Sequence, residues 1–246
     1  MRRFFKKLFV GTMKNPHRYV HDAIDNQWVN IRTIWSHETS PTFGVERLFR
    51  LFLALTAYFF PGIYIRYYFG KDGLLSRKLA LDGFVTLKLI LPLVILKLHW
   101  QKYLAAQFLV SYLGIETLLY ILSLLFLSDI YKPPISNKRS YLMLVMNYVE
   151  ICLDFAVVYG GQNLISNASN SIDIIYFSFV TAFTVGFGDM VPKNRDGREL
   201  VILQSLVSMI FITLAFTKVV SGFVGNRSDD EAPSENDSNK SPKPKS

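Results

Sequence analysis

Long apolar runs constrain this chain more than any other feature of its sequence. Four predominantly apolar stretches reach or exceed the length of about 20 residues that a helix needs to cross a hydrocarbon core. They are residues 79–98, 103–128, 141–160 and 199–224. Half of the 246 residues are hydrophobic, a share that a soluble domain reaches only by burying nearly all of them. The sequence therefore predicts an all-α integral membrane protein.

The N-terminal segment, residues 1–47, is predicted to be a basic cytoplasmic or interfacial region. Apolar residues at positions 4, 5, 8 and 9 alternate with Arg and Lys. Such spacing fits an amphipathic helix on an anionic membrane surface, although a disordered basic tail explains the composition equally well. The net charge of +8 is attributed to cytoplasmic loops. Nucleic acid is not an expected partner, because no basic segment alternates with aromatics on a soluble fold.

Residues 48–69 form an apolar stretch whose crossing of the membrane is left open. It contains Arg50, a Pro61-Gly62 break and Arg66. Crossing would place the basic N-terminus outside, against the usual excess of Lys and Arg in cytoplasmic loops, so an interfacial or re-entrant segment is the preferred interpretation. Residues 48–140 as a whole are predicted to be peripheral membrane helices. The same charge rule places the polar C-terminal residues 225–246, predicted to be a disordered tail, in the cytoplasm.

A shorter apolar piece, residues 172–183, runs directly into Thr184-Val-Gly-Phe-Gly-Asp189. The piece is too short to cross a core of roughly 30 Å. Irregular backbone at membrane depth is tolerated only where it is buried in protein or lines a water-filled path. Gly186 and Gly188 permit backbone conformations that direct successive carbonyls along such a path.

This segment, with Thr181 one helical turn earlier, resembles the pore signature of the potassium channel family. The resemblance implies an outer helix at 141–160, a pore helix at 172–183, a selectivity filter at 184–189 and an inner helix at 199–224, with the filter mouth extracellular. Four copies would be needed to surround an ion, so the chain itself, the lipid bilayer and potassium ions are the expected partners. Potassium is the permeant ligand, and no cofactor is expected. The implied ligands are the carbonyls of Thr184, Val185, Gly186 and Phe187, with the Thr184 hydroxyl. The implied supporting residues are Gly188, Asp189, Thr181, Tyr176 and Val180.

Two departures from the family pattern surround the filter. Phe187 replaces the commoner tyrosine, and within the facing pair Tyr176-Phe177 the site expected to supply an aromatic donor is itself apolar. We expect ring packing here in place of a hydrogen bond. Val180 stands where some relatives have a glutamate, so Asp189 needs another partner, for which Tyr176 is the candidate.

The inner helix offers candidate cavity residues at Ser208, Phe211 and Thr213, with Gln204 a further candidate. Contact between helices is the alternative for each of them. Ser208 also stands near the position of a hinge glycine in many relatives, so a bend of the glycine type is not expected. Lys218 is assigned to the cytoplasmic interface rather than to the inner mouth of the pore.

Four ionisable residues fall inside the apolar spans, where they are costly and mark pairing or function. They are Lys88, Glu116, Glu150 and Asp154. A Lys88–Glu116 pair is predicted. Glu150 and Asp154 lie one turn apart and either meet a neighbouring helix or form a paired-carboxylate active site. No constellation of His, Cys or Ser accompanies them, so the chain is predicted not to be an enzyme. Cys152 is assigned to the core. His17 and His21 are spaced to share a metal but lack further ligands.

Two rivals to a potassium-selective channel remain open at this stage. A less selective cation channel could carry the same motif, because selectivity also depends on the surroundings of the filter. A non-conducting scaffold with a vestigial filter is the second rival, although the motif has no disabling substitution. No helix carries arginine at every third position, so steep voltage sensing is not predicted, and the gating stimulus stays unassigned.

Overall fold

The computed structural model of the chain describes residues 23–36, 44–71, 73–130 and 137–230, and these residues are predominantly helical. The predictions made for residues 1–22, for His17, His21 and His37, and for residues 231–246 lie outside this described part. The described helices are α1 (Ala23–Ser36), α2 (Val45–Thr56), α3 (Pro61–Gly70), α4 (Leu74–Lys97), α5 (Leu104–Phe126), α6 (Asn137–Gly161), α7 (Ser171–Ala182) and α8 (Arg195–Asp230).

Four of the helices are long and apolar enough to cross a membrane, which confirms the all-helical membrane architecture. The qualifying segments are Ser76–Lys97, Leu104–Phe126, Arg139–Gly161 and Arg195–Thr217. Half of the most apolar part of α6 is buried against the rest of the chain, whereas a third or less is buried in each of the other three spans. Helix α6 is therefore the centre of the packing, and it contacts α4, α5, α7 and α8.

The helices extend beyond the apolar boundaries that the sequence suggested. Helix α4 begins at Leu74 rather than 79, and α6 begins at Asn137 rather than 141. Helix α8 begins at Arg195 rather than 199 and continues to Asp230, into the segment predicted to be a disordered tail. Apolarity marks the part of a helix suited to hydrocarbon, whereas backbone hydrogen bonding continues into polar flanking residues, so boundaries taken from apolarity alone are too short.

Helices α2 and α3 form a bent pair within the 48–69 stretch. Their axes differ by 66°. The break lies at Phe60, whose backbone is extended (φ −116°, ψ 148°), immediately before Pro61 at the first position of α3. A residue before proline is pushed out of the helical region, whereas proline itself suits the first helical turn. The Pro61 ring thus ends one helix and begins the next.

The bent pair lies along α5, with both of its outer parts toward the C-terminal end of α5 and its break near the middle. Arg50 of α2 pairs with Asp129, just beyond the C-terminal end of α5, at 2.6 Å. At the break, the Phe59 carbonyl accepts a hydrogen bond from Tyr112 at 2.6 Å, level with the middle of α5. In α3 the Arg66 guanidinium then lies over the ring of Tyr120, 5.1 Å from its centroid and closer again to the C-terminal end.

The main apolar core lies between α5, α6 and α8. Because lipid is as apolar as the side chains, close packing rather than water exclusion stabilises helix contacts at this depth. Glycine permits a close approach at the end of α6, where a Cβ on Gly160 would stand 2.8 Å from the Ile174 side chain of α7. The core side chains are Ile121, Leu144, Ile151, Val207, Phe211 and Leu214.

Candidate pore segment

Helix α7 begins at a capping box that orients the short apolar helix. The Asn170 side-chain oxygen accepts hydrogen bonds from the backbone N–H groups of Ile172 (2.9 Å) and Asp173 (3.0 Å). The Asp173 carboxylate in turn accepts from the Asn170 N–H at 3.1 Å. Both interactions satisfy N–H groups that the first helical turn otherwise leaves free. The Ser171 hydroxyl donates to the Leu96 carbonyl at 2.9 Å, which ties this end of α7 to α4.

Replacing Asn170 by alanine removes that cap and should lower the free energy of unfolding by about 0.5–2 kcal/mol. Thermal unfolding of the purified protein in detergent measures the change. Asn170→Ser keeps a capping oxygen and is the matched control, expected to unfold close to the wild type. Equal destabilisation by serine and alanine would contradict a capping role.

The C-terminal end of α7 passes into the candidate filter through a Schellman motif. The Thr184 N–H donates to the Thr181 carbonyl at 3.0 Å, and the Val185 N–H donates to the Val180 carbonyl at 2.9 Å. The motif requires a left-handed residue after the helix, which is usually glycine. Here that residue is Thr184, with φ 57°, a conformation that costs an L side chain roughly 1–2 kcal/mol. Strain of this kind is concentrated at functional sites.

Backbone handedness alternates along the candidate filter. Thr184, Gly186 and Gly188 have φ values of 57°, 57° and 79°, whereas Val185 and Phe187 between them have negative φ. Alternation of left- and right-handed residues gathers successive N–H groups on one side of the chain and so leaves the carbonyls on the other. The segment can therefore present a row of carbonyl oxygens to one ligand path.

Side chains of the segment contact α7. The rings of Phe187 and Tyr176 are parallel, with 6.5 Å between their centroids and 1° between their planes. This is the ring packing expected in place of a hydrogen bond. The Asp189 carboxylate interacts with the Tyr176 hydroxyl. Val180 is half-buried on the same helix. Val185 and Phe187 are 51% and 69% exposed, so this chain alone does not cover the back of the filter.

The chain leaving the filter is held against the loop that follows α6. The Ser166 N–H donates to the Val191 carbonyl at 2.9 Å, and the Lys193 N–H donates to the Leu164 carbonyl at 2.8 Å. The backbone carbonyl of Asp189 also accepts a hydrogen bond from the Asn167 amide at 3.2 Å. These contacts fix the outer end of the segment between α6 and α8.

A buried chain of hydrogen bonds lies behind the pore helix and joins three helices. The Tyr159 hydroxyl of α6 donates to the Gln204 side chain of α8 at 2.8 Å. Gln204 donates to the Ser178 carbonyl of α7 at 2.9 Å, and the Ser178 hydroxyl donates to the Cys152 carbonyl at 2.6 Å. Gln204 therefore takes the alternative that was left open for it, contact between helices, whereas Tyr159 and Ser178 were not singled out from the sequence. A glutamine within an apolar span was the signal available in the sequence.

Replacing Gln204 by leucine should destabilise the pore region strongly. The buried Tyr159 hydroxyl and Ser178 groups would both lose a partner, and each unsatisfied buried group costs about 1–3 kcal/mol. Tyr159→Phe is the matched comparison, because it removes one hydroxyl and should cost less. Chemical or thermal unfolding in detergent ranks the variants, and a leucine variant as stable as the wild type would contradict the network.

The candidate cavity residues of the inner helix face in different directions. Ser208 and Phe211 are 1% and 2% exposed, and the Phe211 ring stacks on Tyr148 of α6 at 5.3 Å. Residues buried within one chain cannot line a space between chains, so the placement corrects the cavity interpretation for these two. Thr213 is exposed and is the remaining candidate, with its hydroxyl bonded to the Met209 carbonyl at 2.8 Å.

The predicted Lys88–Glu116 pair is confirmed, with 3.4 Å between Nζ and Oε2. Lys88 also pairs with Glu150, at 3.1 Å. Glu150 is fully buried and is held by these contacts, so its placement gives no support to a substrate-accessible paired-carboxylate site. Within the described ranges, no group of three or more His, Cys, Asp or Glu is arranged to hold a metal ion.

Comparison with known proteins identifies the region that contains these elements. Residues 143–224 match the family described as "Ion channel". The chain is 32% identical over 81 residues to potassium channel subfamily T member 1 of Mus musculus, covering 32% of this chain and 6% of that protein. It is 30% identical over 89 residues to two-pore potassium channel 4 of Arabidopsis thaliana, covering 35% and 31%. These similarities support the potassium channel family.

A further similarity is to potassium channel protein kcv of Paramecium bursaria Chlorella virus 1. It reaches 46% identity over 43 residues, covering 18% of this chain and 45% of the viral protein. The chain thus spans less than half the length of each of these relatives. No solved structure matches. The resemblance to ion channels points to a transport protein of the membrane rather than to an enzyme.

Proposed function

We propose that this chain is one subunit of a homotetrameric potassium channel that conducts potassium passively. The proposed filter is Thr184–Asp189, with ions coordinated by the carbonyls of its first four residues and by the Thr184 hydroxyl. The observation that carries the proposal is the alternating φ sign at Thr184, Gly186 and Gly188 directly after a half-length apolar helix. Rings of backbone carbonyls can replace the water of a potassium ion.

The geometry of one chain supports a tetramer. A single segment supplies one wall of an ion path, and a closed cyclic assembly supplies the others. The exposed apolar side chains of Val185 and Phe187, together with the accessible face of α8, agree with burial against further copies. The large exposed apolar side chains of α8 are Ile202, Leu203, Leu206, Met209, Ile212 and Phe216.

Ion flux into proteoliposomes tests the function, and native mass measurement tests the assembly. We expect potassium uptake that persists in excess external sodium, is blocked by barium, and comes from a complex of four chains. A tetramer that admits sodium as readily as potassium would make the protein a non-selective cation channel. A protein that forms no tetramer and carries no flux would contradict the proposal.

The described contacts also support a membrane topology. We infer that α2 and α3 form a re-entrant hairpin, since α2 begins and α3 ends toward the same end of α5 while Phe59 reaches its middle. Four spanning helices then place both chain termini on one side. The excess of Lys and Arg in the loops near residues 66–78 and 129–139 assigns that side to the cytoplasm, with the filter mouth extracellular.

Reporters attached ahead of residue 1 and after residue 246 test this topology. In sealed cells both reporters should be protected from external protease and exposed after permeabilisation. Protection of the C-terminal reporter with cleavage of the N-terminal one would show that residues 48–69 cross the membrane. That outcome would reject the hairpin without affecting the filter.

A further inference from the structure

Lys88 is the centre of a charged cluster halfway along the spanning helices. Its ammonium group donates to the Leu113 carbonyl at 3.0 Å and to the Thr117 hydroxyl of α5. It also pairs with Glu116 and Glu150, and the Thr117 hydroxyl lies 3.0 Å from Oε1 of Glu150. One lysine thus satisfies groups on both neighbouring helices.

The Glu116 carboxylate has a second donor from the bent pair. The backbone N–H of Gly62, in the first turn of α3, donates to its Oε1 at 2.9 Å. A helix N-terminus carries free N–H groups and partial positive charge, both favourable to an anion. The two oxygens of Glu116 are therefore held by different donors, Lys88 and the start of α3, which suits an ionised carboxylate.

Asp154, one turn beyond Glu150 on α6, has no such support. The residue is 6% exposed. Its Oδ2 is buried without a hydrogen-bond partner among the residues that the structure describes. The oxygen lies against α5, where a Cβ added to Gly114 would stand 2.9 Å from it. An ionised carboxylate in such a position would leave this buried oxygen without a donor, which is costly in a membrane interior.

We propose that the cluster is a proton-binding site and that the bound proton resides on Asp154. One ammonium group pairs with Glu116 and Glu150, and Asp154 adds a third carboxyl group beside them. Full ionisation would therefore leave uncompensated negative charge between α4, α5 and α6. Adding a proton to the Asp154 carboxylate gives a neutral carboxylic acid and removes part of that excess. The proton is placed on Asp154 rather than on Glu116 or Glu150, because Lys88, Thr117 and Gly62 already hold the oxygens of those two.

The groups around Asp154 favour a proton over another cation. The charged groups that act on it are Glu150 on its own helix and Lys88 of α4. Glu116 of α5 lies beyond Lys88, and Cys152 is a neighbouring thiol on α6. A metal ion needs several oxygen ligands at once, and the cluster does not present them within the described ranges. A proton needs one carboxyl oxygen and no cavity.

Infrared spectroscopy of the purified full-length protein, in its native assembly, detects the proton directly. Only a protonated carboxyl group gives the carboxylic acid carbonyl stretch. We expect this band at neutral pH in the wild type, and we expect it to shift when aspartate carries a heavy-isotope label at its side-chain carboxyl carbon. Asp154→Asn should abolish the band. Glu199→Gln is the matched control, since Glu199 is exposed and paired with Arg195, and it should leave the band intact.

The labelled wild type keeps the test decisive if the asparagine variant does not fold. In that case Asp154→Glu retains an acid at this position. In this variant the carboxylic acid band should no longer shift with labelled aspartate and should shift with labelled glutamate. No acid band at neutral pH in the folded wild type would overturn the proposal. A wild-type band that responds to labelled glutamate instead would assign the proton to Glu116 or Glu150 and overturn the assignment to Asp154. None of these outcomes depends on ion flux.

Discussion

Gly186→Asp should reduce potassium flux to the level of empty liposomes. Gly186 has φ 57° and no atom near its missing Cβ within the chain, so the substitution is not expected to clash within one subunit. The effect has two causes. The left-handed backbone of Gly186 is strained by any side chain, which disturbs the row of carbonyls, and each copy adds a carboxylate beside the proposed ion path. A fixed charge at that point would hold a cation too tightly for it to pass on.

Gly44→Asp is the matched control for this change. Gly44 also has positive φ (62°) and open space around its Cβ position, but it precedes α2, outside the proposed pore. The same substitution at a similar backbone angle should therefore leave flux close to that of the wild type. Equal loss of flux in both variants would indicate general damage. Undiminished flux through Gly186→Asp would exclude this segment as the filter.

Lys88→Met should produce the largest loss of stability of any single change described here. Removing one partner of a buried ion pair leaves uncompensated charge and typically costs about 3–5 kcal/mol. Here Glu116 and Glu150 would both lose their cation, and Thr117 would lose its donor. Unfolding in detergent, followed by circular dichroism, measures the effect.

Lys97→Met provides the matched surface change on the same helix. Lys97 is exposed at the C-terminal end of α4, and we expect its replacement to alter stability by no more than about 0.5 kcal/mol. Adding Glu150→Gln to Lys88→Met should recover part of the loss, because neighbouring charges are energetically coupled. If the two lysine variants proved equally stable, Lys88 would not hold the spanning helices together.

The membrane spans could be predicted because length and apolarity alone determine them. The Lys88–Glu116 pair was predictable for a related reason, since a charged residue in a span requires a partner. The addition of Glu150 to that pair was not, because periodicity does not specify which faces of three helices meet. The rotation of α8 about its axis, which the sequence does not specify, likewise places Ser208 and Phe211 inside the chain rather than at a space between chains.

Other features depend on contacts that no local pattern encodes. The direction of the 48–69 stretch depends on the pairing of Arg50 with Asp129, which are far apart in the sequence. The left-handed conformation of Thr184 was not expected either, since threonine has no preference for it. It is imposed by the Schellman hydrogen bonds at the end of α7 and by the filter that follows.

The reversal potential of single channels in a planar bilayer, with potassium on one side and sodium on the other, tests the central claim most directly. A potassium-selective filter at Thr184–Asp189 predicts a reversal potential displaced strongly toward the value at which potassium alone would be in equilibrium. A reversal potential near zero, in channels that conduct both ions, would contradict potassium selectivity.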